Sequence, residues 1–239
     1  VDRTRYSTIA HRDHLFCSPL SERTVDTLLE HLHLAPGARL LDVGCGKAQM
    51  LVRAARRYRA TCVGVDPNRA FLEAARSEAL ELHDKRVQEV ALQRESFHAA
   101  LCIGSTHAFG TYKNALVELA RLVCPGGCLA VGEGYWKRPP SPEYLEVLEG
   151  TPEEFTSHEG NMRLGEALGL KLRFTAASSD AEWDAYEGLY AASVERFAAE
   201  HPEDPDRDAM LARSRRWYRA YAAWGRSTLG FGLYLFEKP

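Results

Sequence analysis

No apolar run in this sequence approaches the roughly 20 residues needed to cross a membrane. The stretch VDRTRYSTIAHRDH at residues 1–14 also lacks the apolar centre of a secretion signal. A cytoplasmic protein without a membrane partner is therefore expected. An excess of one charge is equally missing. Lysine and arginine number 30 against 33 aspartate and glutamate, and they are mixed along the chain to a net charge of −3. Nucleic acid binding requires a basic footprint, and none is visible, so small-molecule chemistry is favoured. Paired metal-ligand spacing is absent too. Cys45, Cys62, Cys102 and Cys128 lie in or beside apolar, strand-like runs, as buried reduced thiols do, and Cys17 stands alone. Cys124 and Cys128 bracket Pro-Gly-Gly, a turn into a strand, and no second pair offers zinc spacing, so no metal is expected. Repeats and low-complexity segments are not evident.

What is present is a 45% hydrophobic chain of 239 residues, enough for one full core. Ser21 can cap a helix whose apolar positions Val25, Leu28, Leu29 and Leu32 recur at helical spacing. ARLLDV (38–43), TCVGVD (61–66), HAALCIG (98–104) and the strand following Pro125-Gly-Gly read as buried strands. Helical patterns separate them, among them Leu51, Ala54, Ala55 and Tyr58, the stretch 69–80, and Tyr112 to Val123. This alternation predicts a parallel sheet covered on both faces. Farther on, 161–170 reads as a helix, KLRFTA as a strand and GFGLYLFE (230–237) as a last strand. Between those two strands, 180–201 and 206–228 read as long helices broken at HPEDP, an insertion within one domain. From Asp66 to Asp84 the chain has only 18 residues for a helix, a return turn and a strand. Either the helix is short, or a loop near 78–82 is missing from this sequence.

The chemistry concentrates in LLDVGCGKAQM (40–50), where an apolar strand ends in Asp42 and passes into a glycine turn. Parallel α/β sheets bind ligands at such strand ends, and glycine lets a ligand approach without an obstructing Cβ. A dinucleotide fingerprint would need a third glycine where Gln49 stands. Asp42, two residues before the first glycine, would repel a pyrophosphate but suits a ligand bearing an ammonium and a sulfonium. Asp66 ends the second strand, where a carboxylate can accept both hydroxyls of an adenosine ribose, and its side chain is expected at a solvent-facing strand end. Together these features favour S-adenosyl-L-methionine over a nicotinamide cofactor.

On these residues the chain resembles the class I S-adenosylmethionine-dependent methyltransferases. LLDVGCG matches their first motif, GVDPN their ribose motif, and LVCPGG their turn before strand five, in the family's order, so that the resemblance spans about residues 18 to 239. GCGK, ALCIGSTH, GEGYW and EWDAYE resemble a group of bacterial small-molecule methyltransferases. The resemblance implies a Rossmann-like, seven-stranded, mostly parallel sheet with helices on both faces and a two-helix insertion between strands six and seven. It implies a single domain over 1–239, with 1–20 as a segment that can cover the site and 180–228 as a helical lid. It also implies cofactor binding by Asp42, Gly44, Cys45, Gly46, Asp66, Pro67, Gly104 and Ser105. The family usually places an acid just after strand three to hold adenine, and Asp84, followed here by Lys85, is the candidate. Ala48 stands where the family often has its third glycine.

Methyl transfer from a sulfonium has no obligatory catalytic signature, because the cofactor carries the activation and the protein mainly aligns the acceptor. The candidates near the transfer point are His107, after strand four, and Glu133 and Tyr135, at the end of strand five. Trp136, Trp183, Tyr186 and Tyr221 are candidates for a wall around a flat small-molecule acceptor, although such aromatic stripes also serve helix packing. His11 and His14 lie either over the cofactor or in a surface tail. Arg213, Arg215, Arg216, Arg219 and Arg226 form either a solvated face or a site for a substrate carboxylate. A nicotinamide-dependent oxidoreductase and a non-catalytic S-adenosylmethionine-binding regulator are the alternatives.

Overall fold

The structure, a computed structural model, describes residues 2–75 and 79–239. Its centre is one sheet of seven strands: β1 (Arg39–Val43), β2 (Thr61–Val65), β3 (Glu81–His83), β4 (Phe97–Ile103), β5 (Val123–Trp136), β6 (Lys171–Ala177) and β7 (Leu229–Glu237). The spatial order is β3-β2-β1-β4-β5-β7-β6. All neighbours pair in parallel except β7, which runs antiparallel to both β5 and β6. The seven-stranded, mostly parallel sheet is thus the architecture expected from the sequence.

The period-2 alternation of side chains divides the core between the two faces of this sheet. Leu40, Cys62, Leu101 and Ala130 point to one face, where α2 (Glu22–His31) and α3 (Gln49–Tyr58) cover them with Val25, Leu28, Leu29 and Leu51. Leu41, Val43, Val63, Leu129 and Val131 point to the other, against Leu116 and Leu119 of α5 (Tyr112–Leu122) and the flank of α7 (His158–Ala167). Ser21 caps α2 as its sequence suggests, accepting the Thr24 N–H at 3.2 Å.

The tight interval after Asp66 resolves into a short helix. α4 covers only Arg69–Glu73, against the stretch 69–80 that the sequence suggests. Residues 76–78 lie outside the described residues, and with residue 78 so does the start of the stretch 78–82. Two α-helices among the described residues have no counterpart in the sequence reading: α1 (Arg3–Ala10) and α6 (Pro142–Leu148). α8 (Asp180–Glu200) and α9 (Arg207–Ala220) lie between β6 and β7 in the chain. They are followed by a π-helical turn, Tyr221–Gly225, and a last short turn, α10 (Arg226–Thr228). α1 packs on α8 and α9 through Tyr6, Ile9, Val194, Met210 and Leu211, which form a third apolar cluster away from the sheet.

Among the described residues no helix is long and apolar enough to cross a membrane, and no group of three or more histidines, cysteines or acids is arranged to hold a metal ion. The six cysteines are free thiols.

Candidate active site

β1, β2 and β4 end side by side, and their carboxyl ends form the floor of a cavity of about 840 Å³. Gly44 begins the turn out of β1 at φ +71°, and its N–H donates to Val65 O of β2 at 2.7 Å. A Cβ on Gly44 would drive into the Ser105 side chain from the loop after β4, so the close approach of these two loops requires glycine. Ala48, just before α3, adopts φ +54°, so the backbone keeps a glycine-like conformation where the family often has its third glycine.

The two aspartates differ in how they are satisfied. Asp66 is 8% exposed, not solvent-facing as the sequence suggests. One of its oxygens accepts the Gly46 N–H at 2.8 Å and the other accepts the Asn68 N–H at 2.8 Å. Asp42 is 3% exposed, shares the face of Leu40, and has an Oδ1 that is buried without any hydrogen-bond partner among the described residues. A buried unpaired acceptor costs about 1–3 kcal/mol, and more when charged. Burial, reinforced by the negative charge of Asp66, pushes the Asp42 carboxyl up to about 7. Burial also raises Asp66, although its two N–H partners and His107 oppose the rise. The floor therefore offers two buried carboxyl groups that gain from a cation or donors brought by a ligand.

The opposite wall comes from the N-terminal segment and α8. Ser7, His11, Phe16, Cys17 and Ser18 face the cavity together with Tyr186. His11 Nδ1 lies 2.9 Å from Ser7 O, so it carries the proton and donates it. Nε2 then accepts from the Tyr186 hydroxyl at 2.9 Å. Burial lowers the His11 imidazole to about 4, which keeps it neutral, and burial raises the Tyr186 phenol well above its ordinary value. The remaining wall is the Arg86–Gln88 strap after β3, with Gln88 Nε2 donating to Ala108 O at 2.5 Å.

Residues 40–127 match the methyltransferase-domain family. That domain, which spans less than half of the chain, marks it as a methyltransferase. The methyltransferase is 27% identical to the uncharacterized protein YjhP of Escherichia coli (strain K12), over 98% of each chain. It is 28% identical to 27-O-demethylrifamycin SV methyltransferase of Amycolatopsis mediterranei (strain S699), over 91% of this chain and 83% of the relative. Its fold superposes on a Geobacter sulfurreducens S-adenosylmethionine-dependent methyltransferase, crystallised with S-adenosylhomocysteine, with a TM-score of 0.92 and 24% identity over 98% of each chain.

In this methyltransferase Asp42, Gly44, Cys45, Gly46, Asp66, Pro67, Gly104, Ser105 and His107 all face the one cavity. Asp84 does not: it is exposed beside the strap, and Lys85 to Gln88 take the cavity wall instead. Glu133 and Tyr135 also lie off the cavity, for a reason of strand parity. Both share the face of Leu129 and Val131, opposite to that of Asp42. Glu133 accepts from the Thr106 hydroxyl and from its neighbour's Gly134 N–H at 2.8 Å, while the Tyr135 ring packs 5.0 Å from His158.

Of the four aromatic candidates only Tyr186 reaches the cavity. Trp136 packs on Phe155 and donates its indole N–H to Pro152 O at 2.8 Å. Trp183 and Tyr221 stack on each other with centroids 6.2 Å apart, as packing between α8 and the π-helical turn. The arginines after 212 face elsewhere: Arg213 lies over the Tyr6 ring, Arg215 pairs with Glu195, Arg216 approaches Glu146, and Arg226 pairs with Asp184. None of the five arginines lines the cavity. Sequence reasoning missed Lys47, whose ammonium donates to His11 O, Arg12 O and His14 O. Its only signal was a cation directly after the glycine turn.

Proposed function

We propose that this methyltransferase transfers the methyl group of S-adenosyl-L-methionine to a small-molecule acceptor within the cavity. The observation that carries the reading is the bare, buried Oδ1 of Asp42, which fits the cofactor's ammonium and would reject a pyrophosphate. Asp66 keeps lone pairs free for the ribose hydroxyls while its backbone bonds hold the glycine turn. Gly44, Cys45, Gly46, Gly104 and Ser105 serve the methionine end, and Pro67 and the Arg86–Gln88 strap serve the adenosine end in place of Asp84.

When bound, the cofactor supplies a methyl group already activated on a sulfonium. The residues of this chain exclude water and align the acceptor, with His107 and Tyr186 among the polar side chains of the cavity that can orient it. α8 and the segment 2–20 act as the cover, and Trp183 and Tyr221 stiffen it by packing. A small acceptor is supported by the cavity volume of about 840 Å³, which lies within the roughly 300–1,000 Å³ of small-ligand sites. It is also supported by the relative named for a demethylrifamycin substrate.

Calorimetry with S-adenosylhomocysteine and with NAD tests the cofactor assignment, and binding of NAD alone would overturn it. Incubation with methyl-labelled cofactor and separate small-molecule, protein and RNA fractions tests the acceptor class. Label confined to the macromolecular fractions would refute a small-molecule acceptor.

A further inference from the structure

Lys47 follows the glycine turn directly, yet it makes no ion pair among the described residues. Its ammonium donates to His11 O at 2.8 Å, Arg12 O at 2.8 Å and His14 O at 2.7 Å, so all three N–H donors are used. These carbonyls lie just past the end of α1, at the negative end of its dipole. Burial lowers the ammonium's pKa, but three acceptors require the charged, three-donor form.

The fastened segment is also part of the cavity wall. Its other ties run to α8 and to the ribose side of the site: His11 to the Tyr186 hydroxyl, His14 Nε2 to Tyr186 O at 3.0 Å, Ser193 Oγ to Asp13 at 3.0 Å, and Asn68 Nδ2 to Thr8 Oγ1 at 2.9 Å. The backbone beneath Lys47 is held by Asp66 through the Gly46 N–H. One lysine side chain thus joins the floor of the cavity to its roof.

We propose that Lys47 is a positioning residue for the cofactor: it fastens residues 11–14 as a roof over the glycine turn, so that roof and cofactor hold each other in place. This rests on the reading that the cavity holds S-adenosylmethionine. A ligand touching both floor and roof gains affinity from an ordered roof and orders it in return, because linkage is reciprocal. Loss of the fastening leaves the Asp42 and Asp66 floor intact while the roof loosens.

The test uses the full chain with S-adenosylhomocysteine as probe, read by calorimetry and by amide hydrogen exchange. In the wild type, the probe should slow exchange across residues 4–18. Lys47→Met should bind it about tenfold more weakly, within the usual range of coupling between sites. That variant should also exchange faster at residues 11–18 with or without the probe, while amides of β1 and β4 remain protected. Lys47→Arg, which restores a multi-donor cation, should recover part of both effects. Wild-type affinity in Lys47→Met, or unchanged roof exchange, overturns the proposal. Should that variant not fold, Lys47→Gln, uncharged but with two donors, takes its place with the same readings. A wild type that binds no probe would defeat the cofactor reading, whereas roof exchange in the free proteins would still decide the fastening.

Discussion

The Asp66 carboxylate accepts the backbone N–H of Gly46 at 2.8 Å, across 20 residues of sequence. One acid therefore braces the glycine turn and faces the cavity, so its removal has two effects. Hydrogen bonds to a charged group contribute about 1.5–3 kcal/mol each. Asp66→Ala should lower the melting temperature and also weaken S-adenosylhomocysteine binding by about 100-fold, the equivalent of about 2.7 kcal/mol. Thermal melts and calorimetry check both, and a variant with wild-type stability would show that the Gly46 and Asn68 bonds carry no weight.

Asp42 makes cofactor binding pH-dependent. Its folded-state pKa of about 7 lies above the ordinary 3.8, so ionisation penalises the free fold, and this contribution to stability declines as pH rises from about 3.8 to about 7. An ammonium ligand reverses the preference, so S-adenosylhomocysteine affinity should rise between pH 6 and 8, around the value of about 7, with release of protons on binding. Calorimetry in buffers of different ionisation enthalpy measures the protons. Asp42→Asn should bind more weakly at pH 8 and lose most of the pH dependence.

Gly44→Ala should damage the site through crowding and conformation together. The new Cβ meets the Ser105 side chain, and φ +71° disfavours alanine. Ser105→Gly in the same chain removes the clash but not the backbone cost, so it should restore only part of the binding. Full rescue would place the whole cost in the clash.

Away from the cavity, Glu187 is 3% exposed and accepts the Trp217 indole N–H at 2.8 Å. Burial raises its carboxyl to about 7, so its ionisation destabilises the fold progressively from pH about 4.5 to about 7. Glu187→Gln retains an acceptor for Trp217 and removes the charge. The variant should melt higher than wild type at pH 8, by the equivalent of about 2–3 kcal/mol, and not at pH 4.5. Equal melting temperatures at pH 8 would show that the carboxyl ionises without cost.

Much of this was legible in the chain itself. Asp42 and Asp66 could be found because each ends an apolar strand, and the strand ends of a parallel sheet share one edge. The misplacement of Glu133 and Tyr135 was avoidable in principle: counting back by two from Glu133 reaches Val131 and Leu129, on the face opposite Leu40 and Asp42, but that comparison needs the register between β4 and β5. The placement of Asp84 escapes the sequence reading because β3 ends at His83 and the acid is exposed, while Lys85 to Gln88 line the cavity. Lys47 depends on contacts to His11, Arg12 and His14, across tens of residues, which no local pattern encodes.

β6 ends and β7 begins on the same rim of the sheet, with Ala177 opposite Gly232 and Trp136 of β5 opposite Leu229. The helical pair between them is moored twice on the edge where the cavity opens and passes through no strand. Such a graft point allows these helices to change in length or sequence without re-threading the strands whose ends floor the cavity.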